Sequence, residues 1–165
     1  MKADDIINHL NLEKHPEGGW FKETYRSDTF IGEDTLPAGY KHGRNLKTVI
    51  YFLLKSGEKS ASHRLRSDEF WYWHSESSLE VIIIHPDGNL QIELMGTDIL
   101  NGQSPQLLLP AGTWFAARCT KPQSFALISC SVTPGFDFSD FELAEREALT
   151  KQFPQHQKII NELTN

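Results

Sequence analysis

Two cysteines and two methionines in 165 residues leave little sulfur chemistry in this chain. Cys119 and Cys130 show neither CxxC spacing nor a flanking basic cluster, so no reactive thiol is expected. They read as small buried or half-buried side chains in neighbouring strands, and nothing asks for a disulfide between them. Positive charge is also scarce: 16 Lys and Arg against 22 Asp and Glu give a formal charge of −6. Without a basic stripe, a nucleic-acid partner is excluded. No apolar run approaches the roughly 18 residues of a membrane span, and Met1-Lys2-Ala3-Asp4-Asp5 lacks the apolar core of a signal peptide. The expectation is a soluble cytoplasmic protein with no membrane partner.

What is present is ordinary globular composition, 39% apolar and 23% charged, with an aromatic middle. One domain over residues 1–165 is expected, large enough to bury a core without metals or disulfides. Asp4 is placed to cap a short helix carrying Ile6, Ile7 and Leu10. From Trp20 onward the runs are short and rich in β-branched and aromatic residues. Strands are predicted at Phe21–Arg26, Lys47–Leu54, Phe70–Trp73, Leu79–His85, Leu90–Leu94, Gln106–Leu109, Thr113–Ala117 and Ser124–Val132. Turn chemistry separates them, most clearly the hairpin signal Pro86-Asp87-Gly88-Asn89. Ser139-Asp140-Phe141-Glu142 has capping-box spacing and predicts a helix there, with another around Ile159–Leu163. Residues 28–45 form one long irregular segment, a length usually mobile or functional. Many short strands with hairpin turns predict a mostly β jelly roll or small barrel with short helices near both termini, the barrel at about 15–136 and the C-terminal helices at about 139–163.

Gly57, five spacers, His63-Arg64-Leu65, three spacers and Glu69 resemble the first signature of the cupin superfamily, which has histidine where Leu65 stands. Pro110-Ala111-Gly112-Thr113-Trp114-Phe115 resembles the second, which places a histidine at Phe115. The opening His15-Pro16-Glu17-Gly18-Gly19, with Ile50–Leu54 and His63-Arg64-Leu65 before Ser67-Asp68-Glu69, resembles a family of single-domain cupins without an assigned activity. The resemblance runs from His15 to about Phe136. It implies a double-stranded β-helix, the cupin jelly roll, and a homodimer.

In that arrangement His63 and Leu65 share one inward face, and Glu69, Trp71 and Trp73 share another. Phe70, Tyr72 and His74 then face outward, unless a bulge between Glu69 and His74 exchanges the two sets. His63 and Glu69 are the candidate catalytic pair, because a carboxyl group beside indoles loses hydration and titrates toward neutrality. Candidate substrate contacts are Trp71, Trp73 and Phe115 as a stacking wall, Tyr51 as a donor, and Arg64 and Arg66 as a clamp for an anion. Lys22, Glu23 and Arg26 read as a solvated or dimer-facing edge. Two ligands fall short of the three or more that zinc, iron or manganese sites take, so no cofactor is expected. If a divalent transition metal does bind, His63 and Glu69 are its ligands. The leading functional expectation is a metal-independent isomerase or epimerase of a small carbohydrate-like molecule. A non-catalytic module for an apolar or aromatic ligand is the alternative, and a metal-dependent enzyme comes third.

Overall fold

The structure, a computed structural model, describes residues 2–165. The chain opens with helix α1 (Ala3–Leu10), followed by β1 (Glu13–Lys14), β2 (Trp20–Arg26), β3 (Phe30–Ile31), β4 (Arg44–Asn45) and β5 (Thr48–Lys55). Next come β6 (Lys59–Leu65), β7 (Asp68–Glu76), β8 (Leu79–Ile84), β9 (Leu90–Met95), β10 (Gln103–Ser104) and β11 (Gln106–Leu109). The chain continues through β12 (Trp114–Cys119), β13 (Phe125–Thr133) and β14 (Phe141–Leu143), and closes with helices α2 (Arg146–Gln152) and α3 (Gln157–Leu163).

Two six-stranded sheets, ordered β1-β2-β5-β13-β7-β11 and β10-β9-β8-β12-β6-β14, face each other as a jelly roll. The core lies between them: Phe52, Leu54, Trp71, Ile128 and Cys130 from the first sheet meet Leu65, Val81, Ile83, Phe115 and Ala117 from the second. The outer faces differ. Ile82, Ile84, Trp114 and Ala116 on the second sheet are covered by Leu149, Ile160 and Leu163 of the C-terminal helices. That double burial explains why Val81-Ile82-Ile83-Ile84 is a continuous apolar run rather than an alternating one. The outer face of the first sheet is covered only in part, by α1 packing over Leu53, Phe125 and Leu127, and Tyr25 and Leu108 are exposed on it.

All eight predicted strands are present with small changes of boundary. Pro86-Asp87-Gly88-Asn89 joins β8 and β9 as expected, with the His85 amide donating to the Asn89 carbonyl at 2.9 Å. The expected helix at Ser139 is not there. Ser139 sits in a single 3-10 turn, where its amide donates to the Asp137 carboxylate at 2.8 Å, and Phe141–Leu143 extends as β14 against β6. Phe141 and Leu143 pair with Leu65 and His63, so tertiary pairing at an open edge overrides a local capping signal. Likewise α1 begins before Asp4, which lies in the first turn and takes an ion pair from Lys55 instead of capping. Cys119 and Cys130 are adjacent in chain order, but their strands lie in opposite sheets.

Segment 28–45 is held down rather than free. Arg44 and Asp140, both almost fully buried, form a bidentate pair at 2.7 and 3.0 Å, and the Tyr40 hydroxyl bonds Ser67 Oγ at 2.8 Å. No helix among the described residues is long and apolar enough to cross a membrane.

Candidate functional site

Strand alternation builds a cavity of about 250 Å³ between the sheets. Its inner wall includes His63 from β6, Glu69 and Trp71 from β7, and Cys130 and Val132 from β13. Register fixes these neighbours: Trp71 lies opposite Cys130 and Glu69 opposite Val132. The expected parity holds through Trp73, because the bulge in this strand pair falls one residue later, at His74. His74 therefore stays outside, bonded to Ser129 Oγ.

The turn between β1 and β2 supplies the rest of the polar wall, His15 and Glu17. Gly18, at φ +106°, closes this turn, and a side chain there would collide with the Lys59 carbonyl. The Glu17 carbonyl accepts the Ala61 amide at 2.8 Å, tying the turn to β6. Glu17 Oε2 then lies 3.1 Å from His63 Nε2 and 3.3 Å from His15 Nδ1, while Ser60 Oγ donates to Oε1 at 2.7 Å.

The proton count follows from the partners. His63 Nδ1 lies 2.8 Å from the Ala61 carbonyl, which only accepts, so Nδ1 carries a hydrogen and Nε2 of the neutral ring is bare. His15 Nδ1 accepts the Glu17 amide at 3.3 Å and is also bare. One proton on Glu17 Oε2 thus serves both rings, and losing it sets a carboxylate oxygen against two lone pairs. Burial drives the groups the same way. It raises Glu17 to about 7, lowers His63 to about 4 and lowers His15. Burial first, then the nearby Glu17, pushes Glu69 up to about 8. The Cys130 thiol is raised well above its ordinary range by burial and lies beside Glu69.

The mouth is aromatic and charged. Phe138, 55% exposed, stacks on His15 with centroids 6.1 Å apart, and Phe136 and Phe138 pack edge to face. Arg26 spans the rim, donating to the Glu23 carboxylate at 2.8 and 3.0 Å and to the Phe136 carbonyl at 3.2 Å. Glu23 and Arg26, expected as part of a solvated edge, are exposed and also frame the entrance.

Of the eight candidate site residues, His63, Glu69 and Trp71 line the cavity. Phe115 lies behind it, its ring 4.2 Å from the His63 ring, and fixes that imidazole rather than facing a ligand. The Trp73 N–H donates to the Ser77 carbonyl at 3.0 Å, away from the cavity. Tyr51 points outward from β5, with its ring beside His74. Arg64 and Arg66, on the opposite parity from His63 and Leu65, line a separate open groove with Tyr40 and Asp68. Arg64 pairs with Glu142 at 2.6 Å and lies over the Trp114 ring, and Arg66 approaches Asp140 at 3.4 Å. They do not clamp anything in the barrel. The sequence reading missed His15, Glu17 and Cys130 as site residues. His15 and Glu17 were visible in the opening motif, but their alignment with His63 depends on the turn.

The fold and the matching family model agree. Residues 4–144 match the family described as "Cupin superfamily (DUF985)". The chain belongs to the cupin superfamily. This cupin is 41% identical to the crystallised protein SO0799 from Shewanella oneidensis, with a TM-score of 0.89 over 100% of this chain and 98% of that one. It is 31% identical to the uncharacterised protein YML079W of Saccharomyces cerevisiae, covering 86% of this chain and 75% of the yeast protein. Bacillus subtilis oxalate decarboxylase shares the fold at 16% identity and a TM-score of 0.54, over 91% of this cupin and 36% of that longer chain.

The metal position implied by the fold family would draw ligands from positions 63, 65, 69 and 115. Here Leu65 and Phe115 are hydrocarbon, and His63 Nε2 faces Glu17 at hydrogen-bond distance. Among the described residues no three His, Cys, Asp or Glu side chains are arranged to hold an ion. The donor set does not fit a metal, and no step is derived through one.

Proposed function

We propose that this cupin is a metal-independent proton-transfer enzyme of the isomerase class, acting on a small carbonyl compound within the barrel. The observation that carries the reading is the placement of Glu17 Oε2 3.1 Å from His63 Nε2 and 3.3 Å from His15 Nδ1, in the same cavity as Glu69. Once the Glu17 proton is lost, the Glu17–His63 pair is a base of near-neutral pKa, and Glu69 is still protonated. The pair removes a proton from the carbon beside the carbonyl while Glu69 protonates the carbonyl oxygen, giving an enol. Return of the proton to a different carbon, with Glu69 recovering its own, completes an isomerisation.

The lining limits the substrate. Phe21, Ile50, Phe52, Leu65 and Val132 give a mostly apolar wall, which leaves most hydroxyls of a carbohydrate without partners. The cavity is smaller than the roughly 300–1,000 Å³ typical of drug-sized ligands, so a nucleotide sugar would not be enclosed. The carbohydrate part of the initial expectation therefore loses ground to smaller, more apolar carbonyl compounds. A homodimer through the part of the first sheet's outer face that α1 leaves exposed, around Tyr25 and Leu108, accompanies this reading, and sedimentation at a single protomer mass would remove it.

The test is exchange in D2O. Small ketones, aldehydes and 2-oxo acids are incubated with enzyme, and loss of the proton beside the carbonyl is followed by NMR, with His63→Ala as control. Exchange accelerated by the wild type and not by the variant is expected. A ligand that raises the thermal midpoint without any exchange would sink the catalytic reading and leave a binding module.

A further inference from the structure

Among the described residues three indole N–H groups, those of Trp20, Trp71 and Trp114, are buried with no acceptor in full hydrogen-bond geometry. Such orphans are uncommon, since an indole nitrogen only donates and a buried donor without an acceptor is costly. The surroundings separate the three. Trp114 borders a gap of about 10 Å³, and Trp20 packs beside α1 beneath the ammonium groups of Lys14 and Lys55. Trp71 alone of the three lines the central cavity, where its N–H approaches the Glu69 carboxyl without reaching full hydrogen-bond geometry.

Its ring is held there. Phe52 stacks on it at 6.4 Å and Phe115 meets it edge to face at 5.8 Å, and Trp71 is only 2% exposed. Glu69 is two residues away on the same face of β7, and Cys130 is opposite in register. That corner of the cavity therefore gathers polar hydrogens around one carboxyl group: the Trp71 N–H and the Cys130 S–H both approach Glu69, and burial keeps the thiol and the carboxyl protonated. Among the described residues the one Lys or Arg lining the cavity is Arg26 at its rim, and it is spent on Glu23, Asn45 and the Phe136 carbonyl.

We infer that the Trp71 N–H, with the Glu69 carboxyl beside it, receives the carbonyl oxygen of an uncharged small ketone or aldehyde, and that the cavity rejects carboxylates. A carboxylate ligand would enter an apolar cavity holding two carboxyl groups and no free cation, where its charge is unpaired. A carbonyl oxygen satisfies the orphan donor instead. This substrate class rests on the proton-transfer reading for its catalytic meaning, but the recognition is a binding property and is tested as one.

Three probes share one ring: cyclohexanone, methylenecyclohexane, in which carbon replaces the oxygen, and cyclohexanecarboxylate. Affinities are measured by calorimetry at pH 7 for the wild type and for Trp71→Phe, which keeps an aromatic ring and removes the N–H. Cyclohexanone is expected to bind tightest and the carboxylate weakest. Trp71→Phe is expected to lower the preference for cyclohexanone over methylenecyclohexane by roughly fivefold, the effect of one neutral hydrogen bond. Should the variant not fold, the indole N–H resonances of the wild type decide, since cyclohexanone must move that of Trp71. Tightest binding of the carboxylate, an unchanged preference in the variant, or no discrimination among the probes, absence of binding included, overturns the inference. Cyclohexanone binding through Trp71 without proton exchange would overturn the catalytic reading alone; exchange indifferent to Trp71→Phe would overturn this one alone.

Discussion

Strand β6 and the start of β7 carry two alternating sets of charged side chains with opposite fates. His63 and Glu69 point inward and are displaced by burial in opposite directions, the imidazole down and the carboxyl up. Arg64 and Arg66 point outward into an open groove and end in ion pairs with Glu142 and Asp140. Residues one position apart thus do different chemistry because one set has lost its water and the other has not. Inside, an unmatched charge is expensive, so protons are shared and burial favours the uncharged form of each group. Outside, charge is cheap, and pairing adds little.

Separating the two sets by mutation is the most direct way to challenge that contrast. The largest effect is expected on catalysis. His63→Ala should slow proton exchange by roughly 10²–10⁴-fold, the usual contribution of a positioned acid or base, while Arg64→Ala next to it leaves the rate unchanged. Equal losses in the two variants would dissolve the distinction.

A stability effect of similar size is expected where a charged pair is buried beneath the outer groove. Arg44→Ala leaves buried Asp140 with only the longer, half-exposed Arg66 contact and should cost about 3 kcal/mol in urea unfolding. This segment is the long irregular stretch that sequence alone leaves open, and a loss under 1 kcal/mol would show that it is not pinned.

Proton linkage sharpens the contrast further. Glu69 and Glu17 have folded pKa values of about 8 and about 7, raised above 4.5, so the folded state holds more protons and loses stability as pH rises toward them. His63, lowered from 6.5 to about 4, acts in reverse, since the unfolded chain binds more protons below 6.5. The two trends oppose each other between about 4.5 and 6.5, and only the carboxyl term remains above 6.5. The thermal midpoint should therefore fall between pH 6.5 and 8, and Glu69→Gln should flatten that fall. Exchange should be bell-shaped, with limbs near 7 and 8 that belong to the coupled groups together. A flat stability profile in the wild type would contradict the burial argument.

The smallest effect belongs to the exposed pair. Glu142→Ala should cost about 0.2–1 kcal/mol and diminish with added salt. Arg64→Ala should cost slightly more, because the guanidinium also lies over Trp114.

Much of the architecture was legible in the residues. Period-two runs and turn chemistry located eight strands, and the Pro-Asp-Gly-Asn hairpin joined the pair it was expected to join. Parity placed Trp71 beside Glu69 and left Phe70 and Tyr72 outside. The failures share a cause. Ser139-Asp140-Phe141-Glu142 looked like a helix start, yet an open strand edge captured Phe141–Leu143. Trp73 obeyed parity but found the Ser77 carbonyl, and Tyr51 sits on the outer face of its strand. Arg64 and Arg66 needed only the parity rule already applied to His63 and Leu65 to be set outside the barrel.

Local spacing was enough to set strand identity, the inward and outward alternation, and the two hydrocarbon positions, Leu65 and Phe115, that remove the cupin metal donors. These follow from the two-residue period of an extended chain and need no knowledge of distant contacts. Tertiary structure alone joined His15 and Glu17 to His63 across more than forty residues, left the Trp71 donor short of full hydrogen-bond geometry, and buried Glu17, His63 and Glu69 around one cavity. Burial depends on what the rest of the chain stacks around a residue, so the proton sharing that gives this site its chemistry arises only in the folded barrel.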